Sequence, residues 1–450
     1  MQPIFGTDGI RGEYNKDLTY NLAFKIGRAL GKIIIKEEPI LIGRDTRVSG
    51  SILLEALTKG LNSVKKEVID IGICPTPAIP FLIRKFSFSC GVMISASHNP
   101  PEYNGIKIFN SSGNKLQKAE EIEIEKHLKK ISDIDLNQKI VSSYSMQPEL
   151  LESYLNSLIS FSEDLNLKGI KLALDTCHGS AALFAEKTFK SLGAEVLVIN
   201  SEADGLKINV KCGSTCLHPL RKTILDNNLD MGFSFDGDAD RVIGMDSKGN
   251  ILDGDHILFL WGRELMIENK LNKNLLISTD MGNLGFEKSW KNIGGIFQRT
   301  NVGDKFIYEE LIRQKGNLGG EQSGHILSCI NNYSGDGILT AIQIAKYCKK
   351  KEISLKTWLE TSFSSFPQKL TNVSLKSSRN IINQLIQNDI NTIISQTIEG
   401  TTDDCRIFVR PSGTEPVLRI LVEAQSINLV HNISKIMKEN VEHILKINKV

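Results

Sequence analysis

Three times along this chain the same arrangement of residues recurs, and that repeat limits the available folds more than any other feature. An apolar run ends beside an aspartate: ILIGRDT at 40–46, IKLALDT at 170–176 and LLISTDM at 275–281. A helix-like stretch follows each, and then a second short apolar run: KKEVIDIGI at 65–73, GAEVLVIN at 193–200 and GGIFQRT at 294–300. Another helical stretch leads to a third segment that ends in an unusual polar loop. Those endings are GVMISASHNP at 91–100, MGFSFDGDADR at 231–241 and NLGGEQSGH at 317–325. Short apolar runs alternating with helical periods predict βαβ units around mixed, mostly parallel sheets. Ligands of such sheets bind beyond the carboxyl ends of the strands, where all three loops fall. Three units facing one another would bring Ser97, the aspartate cluster and Glu321 to one cleft.

After about residue 363 the pattern changes. NVSLKSS, a helix around 379–395, the stretch DDCRIFVRPSGTEPVLRILVEA and a Lys-rich terminal helix predict a smaller α+β domain. The expected fold class is therefore α/β, with three similar domains and a C-terminal α+β domain around a central cleft. The expected boundaries are 1–148 with the serine loop, 149–251 with the aspartate loop, 252–362 with the Glu321 loop and 363–450 with the RPSGTEP turn.

Charge is nearly balanced, with 54 basic and 52 acidic residues and a formal net charge of +2. No basic surplus points to nucleic acid or to a membrane surface, and neither partner is expected. No apolar run approaches the roughly 20 residues that span a bilayer. The opening MQPIFGTDGIRG lacks a basic stretch followed by an apolar core, so a secretory leader is not expected either. The eight cysteines are scattered and form no CxxC pair, which suits reduced thiols in a cytoplasmic protein. Cys212, Cys216 and His218 lie close in sequence, but no second cluster completes a four-ligand zinc site.

The loops carry the chemistry. In GVMISASHNPP the prolines exclude a helix, because proline lacks an amide donor and restricts the residue before it. A strand ending in a stiff, exposed loop with Ser97 is expected. In DGDADR, Asp236, Asp238 and Asp240 alternate with small residues and converge on a hard cation such as Mg²⁺ or Ca²⁺ if the backbone turns. An EF-hand is excluded, since Arg241 and Ser247 stand where it needs glycine and glutamate. In RPSGTEP, Arg410 offers a planar fork, and Ser412 and Thr414 offer neutral donors to an anion such as phosphate. Glu321 and Ser323 suit vicinal sugar hydroxyls, and His325 suits proton movement near neutral pH. A serine is a poor nucleophile without a base or a metal, and no G-x-S-x-G elbow surrounds Ser97. Beside a cation held by the aspartates, Ser97 suits phosphoryl transfer through a phosphoserine. No Walker A sequence or well-placed GxGxxG occurs, which argues against a P-loop or dinucleotide enzyme.

FGTDGIRG (5–12), GRDTRVSG (43–50), SASHNPPEYNGIK (95–107), DGDADR (236–241), GGEQSGH (319–325) and RPSGTEP (410–416) occur in this order over nearly the whole chain. With them the sequence resembles the α-D-phosphohexomutases, which are intramolecular phosphotransferases. The resemblance implies four domains, the last related to the TATA-box-protein-like fold. It implies Ser97 as the phosphoserine, and Asp236, Asp238 and Asp240 as ligands of one Mg²⁺ per chain, with the Ser97 phosphate as a fourth. Glu321 and Ser323, with Gly303 and Asp304 of NVGDK, correspond to sugar-binding residues. Arg410, Ser412, Gly413 and Thr414 correspond to the cradle for the phosphate that is not transferred. Arg11, Lys107 and His325 match positions that assist proton transfer or neutralise charge. LKINVKCGST at 206–215 and Gln322 match the glucosamine branch of the family. That branch implies a hexosamine phosphate substrate, with glucosamine 1,6-bisphosphate as intermediate and activator, and a product that supplies UDP-N-acetylglucosamine synthesis. PPEYNG is closer to the phosphomannomutase/phosphoglucomutase branch, which is the alternative, and a non-catalytic sugar-phosphate sensor is a remoter one. A monomer or homodimer is expected.

Overall fold

The structure, a computed structural model, describes residues 4–131, 141–162, 165–329, 334–375, 382, 385–401, 404–411 and 417–448. The chain forms two compact units, one of residues 1–279 and 298–362, the other of residues 280–297 and 363–450.

The strands of the first sheet are β1 (Ile10–Glu13), β2 (Ile40–Arg44), β3 (Val68–Ile73), β4 (Cys90–Ile94), β5 (Tyr103–Phe109) and β6 (Ser145–Met146), in the order β1-β5-β4-β2-β3-β6. The second sheet holds β7 (Lys171–Asp175), β8 (Glu195–Ile199), β9 (Met231–Phe235), β10 (Val242–Asp246) and β11 (Ile251–Leu252), ordered β11-β10-β9-β7-β8. The third holds β12 (Leu275–Thr279), β13 (Ile296–Thr300), β14 (Leu318–Gly320) and β15 (Ile326–Ser328), ordered β13-β12-β14-β15. Central strands are buried on both faces and read as unbroken apolar runs, as parallel strands do. Ile40, Leu41 and Ile42 of β2 are fully buried, each contributing about 1.5–3 kcal/mol. Helices cover the sheets through apolar stripes: the helix Tyr20–Ile33 buries Ala23, Phe24, Ile26, Gly27 and Leu30, and Thr19 caps it by accepting from the Leu22 amide at 3.2 Å.

Each sheet has a parallel part and an antiparallel return. β2 pairs β3 and β4 in parallel, β7 pairs β8 and β9, and β12 pairs β14. The strand before each polar loop then pairs antiparallel with the strand after it: β4 with β5, β9 with β10, β14 with β15. All three loops are therefore hairpin tips at strand carboxyl ends, with both ends fixed by the sheet. Closure is tightest in the third repeat, where Gly320 is registered with Ile326.

In the second unit β16 (Gln368–Ser374), β17 (Cys405–Pro411) and β18 (Val417–Ala424) form an antiparallel sheet in the order β16-β18-β17. The helix Ile427–Ile447 packs on it through Val430, Ile433, Met437 and Val441. The buried Glu423 accepts from Arg406 at 2.6 Å and from the Leu284 amide at 3.1 Å. Among the described residues no helix is long and apolar enough to cross a membrane.

Candidate active site

Ser97 lies in the β4–β5 tip with its backbone in the left-handed region, φ 53°. A side chain there costs on the order of 1 kcal/mol or more, and local contacts offset it. The Ser97 amide donates to Ser95 Oγ at 2.8 Å, and the Ser97 carbonyl accepts from Arg47 Nη2 at 2.9 Å and Asn209 Nδ2 at 2.8 Å. Arg47, buried and paired with Asp45 at 3.0 Å, also donates to the carbonyls of Asn99 at 2.8 Å and Tyr103 at 2.9 Å, and to that of Pro100. One guanidinium thus ties down four carbonyls of the loop. The Ser95 hydroxyl donates to Asp45 at 2.7 Å, so it is spent on structure.

The Ser97 hydroxyl donates to Asp236 Oδ2 at 2.6 Å. The sequence suggests an exposed loop, but Ser97 is fully buried. The partners that cover it, Asp236 and Asn209, come from the second repeat. Gly237 permits this approach, since a methyl group there would stand 2.8 Å from the Ser97 carbonyl oxygen.

Asp236, Asp238 and Asp240 follow β9. Ala239 takes a left-handed conformation, φ 54°, which turns the alternate carboxylates toward one another. One oxygen from each lies within 4.8 Å of the others. Asp238 also accepts from Thr76 Oγ1 at 2.5 Å, and Arg241 Nε lies 3.9 Å from Asp236 and 3.8 Å from Asp240. Burial, and then Asp240 and Asp238 beside it, push Asp236 well above the ordinary carboxylate range.

Lys107 answers this charge. Its ammonium donates to Asp238 at 2.8 Å and Asp240 at 2.7 Å, and lies 3.2 Å from Asp8. Burial alone would pull Lys107 down, but the three aspartates outweigh it and hold the amine well above the ordinary lysine range. His325 spans Asp240 and Asp304, at 3.3 Å from each. Burial would lower its pKa, yet these two carboxylates raise it to about 10, so the imidazole is a cation at neutral pH. Lys115 lies 2.5 Å from Asp304 and pairs with Asp8. Asp8, Lys107, Asp240, His325, Asp304 and Lys115 therefore close a ring of alternating charge. Arg11 pairs with Asp8 and donates to Asn99 Oδ1 at 3.0 Å and the Ala96 carbonyl at 3.2 Å. His98 is the contrast: burial, with Arg241 and Arg11 nearby, lowers its pKa to about 3, and its neutral ring sits 3.4 Å from Ser97 Oγ.

The structure thus gathers Ser97, Arg11, Lys107, Asp236, Asp238, Asp240, Asp304 and His325 in one network. Glu321 and Ser323 form the β14–β15 tip beside His325, where Ser323 Oγ donates to Glu321 at 3.4 Å. Gly303, φ 132°, precedes the helix Asp304–Gln314 that begins with the buried Asp304. Arg410 lies in β17 of the second unit, in register with Arg419 of β18, while Ser412, Gly413 and Thr414 fall outside the described residues. Residue-by-residue reading of the sequence missed Asp8, Arg47, Thr76, Lys115, Asn209 and Arg241. Asp8, Arg47, Asn209 and Arg241 stood inside quoted motifs, which was the one signal available. Cys212, Cys216 and His218 do not gather as a metal site, whereas the aspartate triad does.

The triad passes a physical test for a cation. Asp238 Oδ1 is buried and accepts no hydrogen bond, so it is free for coordination. Three carboxylates and no thiol or imidazole at the centre suit a hard divalent ion.

Four successive stretches match models of one protein family. Residues 2–135, 152–249 and 253–366 match the phosphoglucomutase/phosphomannomutase alpha/beta/alpha domains I, II and III, and residues 370–439 match its C-terminal domain. A protein of Prochlorococcus marinus subsp. pastoris named phosphoglucosamine mutase is 59% identical over 450 residues, covering 100% of each chain. Among solved structures, a phosphoglucomutase/phosphomannomutase family protein from Burkholderia thailandensis superposes with a TM-score of 0.79 at 23% identity, covering 100% of this chain and 98% of that one. The N-acetylphosphoglucosamine mutase of Aspergillus fumigatus, solved with GlcNAc-6P and magnesium, gives a TM-score of 0.66 at 18% identity, covering 98% of this chain and 95% of that one.

Proposed function

The chain belongs to the phosphoglucomutase/phosphomannomutase family, and from that premise we propose that it interconverts glucosamine 6-phosphate and glucosamine 1-phosphate through a phosphorylated Ser97. The observation that carries the reading is the Ser97 hydroxyl, set 2.6 Å from an aspartate of the buried triad, while Ser95, Arg47 and Asn209 fasten its loop. The full-length likeness to phosphoglucosamine mutases supports the amino sugar over glucose or mannose. Phosphoryl transfer needs little covalent help from a protein, because positioning and charge neutralisation do most of the work.

In the forward direction the bond between Ser97 Oγ and phosphorus breaks as the sugar's free anomeric oxygen bonds to the same phosphorus. The proton that the sugar hydroxyl gives up is balanced by the one that Ser97 Oγ takes on as it leaves, so the bisphosphate forms beside a neutral serine hydroxyl. The second transfer returns the other phosphate to Ser97. Lys107 and His325, both held as cations, neutralise the equatorial oxygens of the group in flight. Arg47 and Asn209 keep the loop from recoiling. Glu321 and Ser323 orient the sugar by its hydroxyls, and Asp304 fixes His325 behind them. By their motif, Arg410, Ser412, Gly413 and Thr414 correspond to the family's cradle for the phosphate that stays. Asp236, Asp238 and Asp240 would hold Mg²⁺, which supplies Lewis-acid charge for the phosphoryl group.

Peptide mass spectrometry should find phosphate on Ser97, and Ser97→Ala should lose at least about 1,000-fold in turnover while keeping its melting temperature. A panel of glucosamine, glucose and mannose 6-phosphates tests the sugar. The reading fails if glucosamine 6-phosphate ranks last or the alanine variant turns over undiminished.

A further inference from the structure

We propose that Lys115 is a positioning residue of the transfer reaction, setting Lys107 and His325 against the aspartate triad from the far side of the charge ring. The inference deepens the mutase reading and rests on it.

The sequence around Lys115 is built to project one side chain. After β5 the chain runs NSSGNK, and Asn110 folds it back: its Oδ1 accepts from the amides of Ser112 at 3.0 Å and Asn114 at 3.2 Å. The Asn110 amide donates to the Asn114 carbonyl at 2.8 Å. Gly113 holds φ 71°, and any side chain there would collide with the Pro80 carbonyl, 2.7 Å from the methyl position. The turn closes with a bridge between Phe109 and Lys115. Lys115 thereby stands beside the end of the strand that carries Lys107, and its ammonium returns to the same cluster.

That ammonium touches no member of the triad. It pairs with Asp8 and lies 2.5 Å from Asp304. Asp8 is the third carboxylate on Lys107, and Asp304 is the second on His325. Lys107 is thus held between two triad acids and one acid that Lys115 shares, and His325 between one triad acid and one that Lys115 shares. All three members of this outer arm are largely buried, so water supplies little replacement charge. Without Lys115, Asp304 keeps only His325 among the described residues, and Asp8 keeps Lys107 and Arg11. Each acid then draws harder on the cation that remains, and both cations move away from the triad. A shift on the order of 1 Å at a reacting group costs as much as about 100-fold in rate.

The sequence of experiments uses the full chain and the best hexose phosphate for the wild type. Lys115→Met should lower kcat about 10- to 100-fold with KM changed less than about threefold, since the lysine meets acids rather than sugar. Lys115→Arg, which keeps both pairings, should recover to within about threefold of wild type. The melting temperature of each variant separates positioning from unfolding, and the kcat loss should persist where the melting curves coincide. Lys115→Met with kcat within twofold of wild type overturns the inference alone. So does a loss confined to KM, or an arginine variant as impaired as the methionine one. A wild type that turns over no hexose phosphate overturns the mutase reading first.

Discussion

Replacing Arg47 with methionine should unfasten the serine loop while leaving every residue that touches the phosphoryl group in place. Arg47 is buried against Asp45 at 3.0 Å and donates to four loop carbonyls. Breaking a buried pair by removing one partner costs about 3–5 kcal/mol. All four carbonyls lose a charged donor, but Asn209 still serves those of Ser97 and Asn99 and the Tyr103 amide that of Pro100, so the largest loss falls on the Tyr103 carbonyl, adding about 1 kcal/mol. The sum, about 4–6 kcal/mol, lowers the melting temperature of the larger unit by on the order of 10 °C. The deficit carries a pH signature. Burial already raises Asp45 above its ordinary pKa, and Arg47 is the strongest influence pulling it back. Without Arg47 the acid rises further, and an acid raised in the folded state loses stability as pH climbs through that raised value. The variant should therefore fall further behind wild type at pH 8 than at pH 5. Calorimetry at both values, with amide exchange across residues 96–103, measures it. Equal melting curves, or a deficit that shrinks with rising pH, would refute the reasoning, and Arg47→Lys should recover only part of the loss.

Magnesium should raise the melting temperature of wild type but not of Asp238→Asn, corresponding to about 2.7 kcal/mol at a hundredfold excess over Kd, and a chelator should abolish turnover; an equal shift in both proteins would remove the triad from the metal site. Asp336 caps the helix Gly337–Lys350 through the Leu339 amide at 2.9 Å and accepts from Tyr154 at 3.0 Å. Burial pushes its pKa to about 6, so its contribution is greatest below about pH 4 and is lost as pH rises through 6. Asp336→Asn keeps a capping oxygen without the charge and should gain up to about 3 kcal/mol over wild type above pH 6; parallel stability curves from pH 4 to 8 would contradict this.

What the sequence made legible was whatever is local and periodic. The repeats, the strands before each loop, Ser97 and the three aspartates all announce themselves within ten residues. The antiparallel returns did so less, because β10 and β15 have only five and three residues, too few to show a clear period. The partners that bury Ser97 did not: Asn209 is 112 residues away, and Asp304 is 189 residues from Lys115. A lone lysine or asparagine looks solvated until its distant acid or carbonyl is known. Arg47 and Asp8 illustrate the intermediate case, visible within motifs yet silent about their duties.

The charge ring also bears on how the chain becomes competent. Asp8, Lys107 and Lys115 come from the first repeat, Asp240 from the second, and Asp304 and His325 from the third. Whichever repeat is still unfolded, its absence opens the ring and takes a charge partner from the repeats that remain. Reactivity at Ser97 is then a product of assembly itself. Incompletely folded chains should be inert, and restoration of transfer during refolding should report the moment when all three repeats have met.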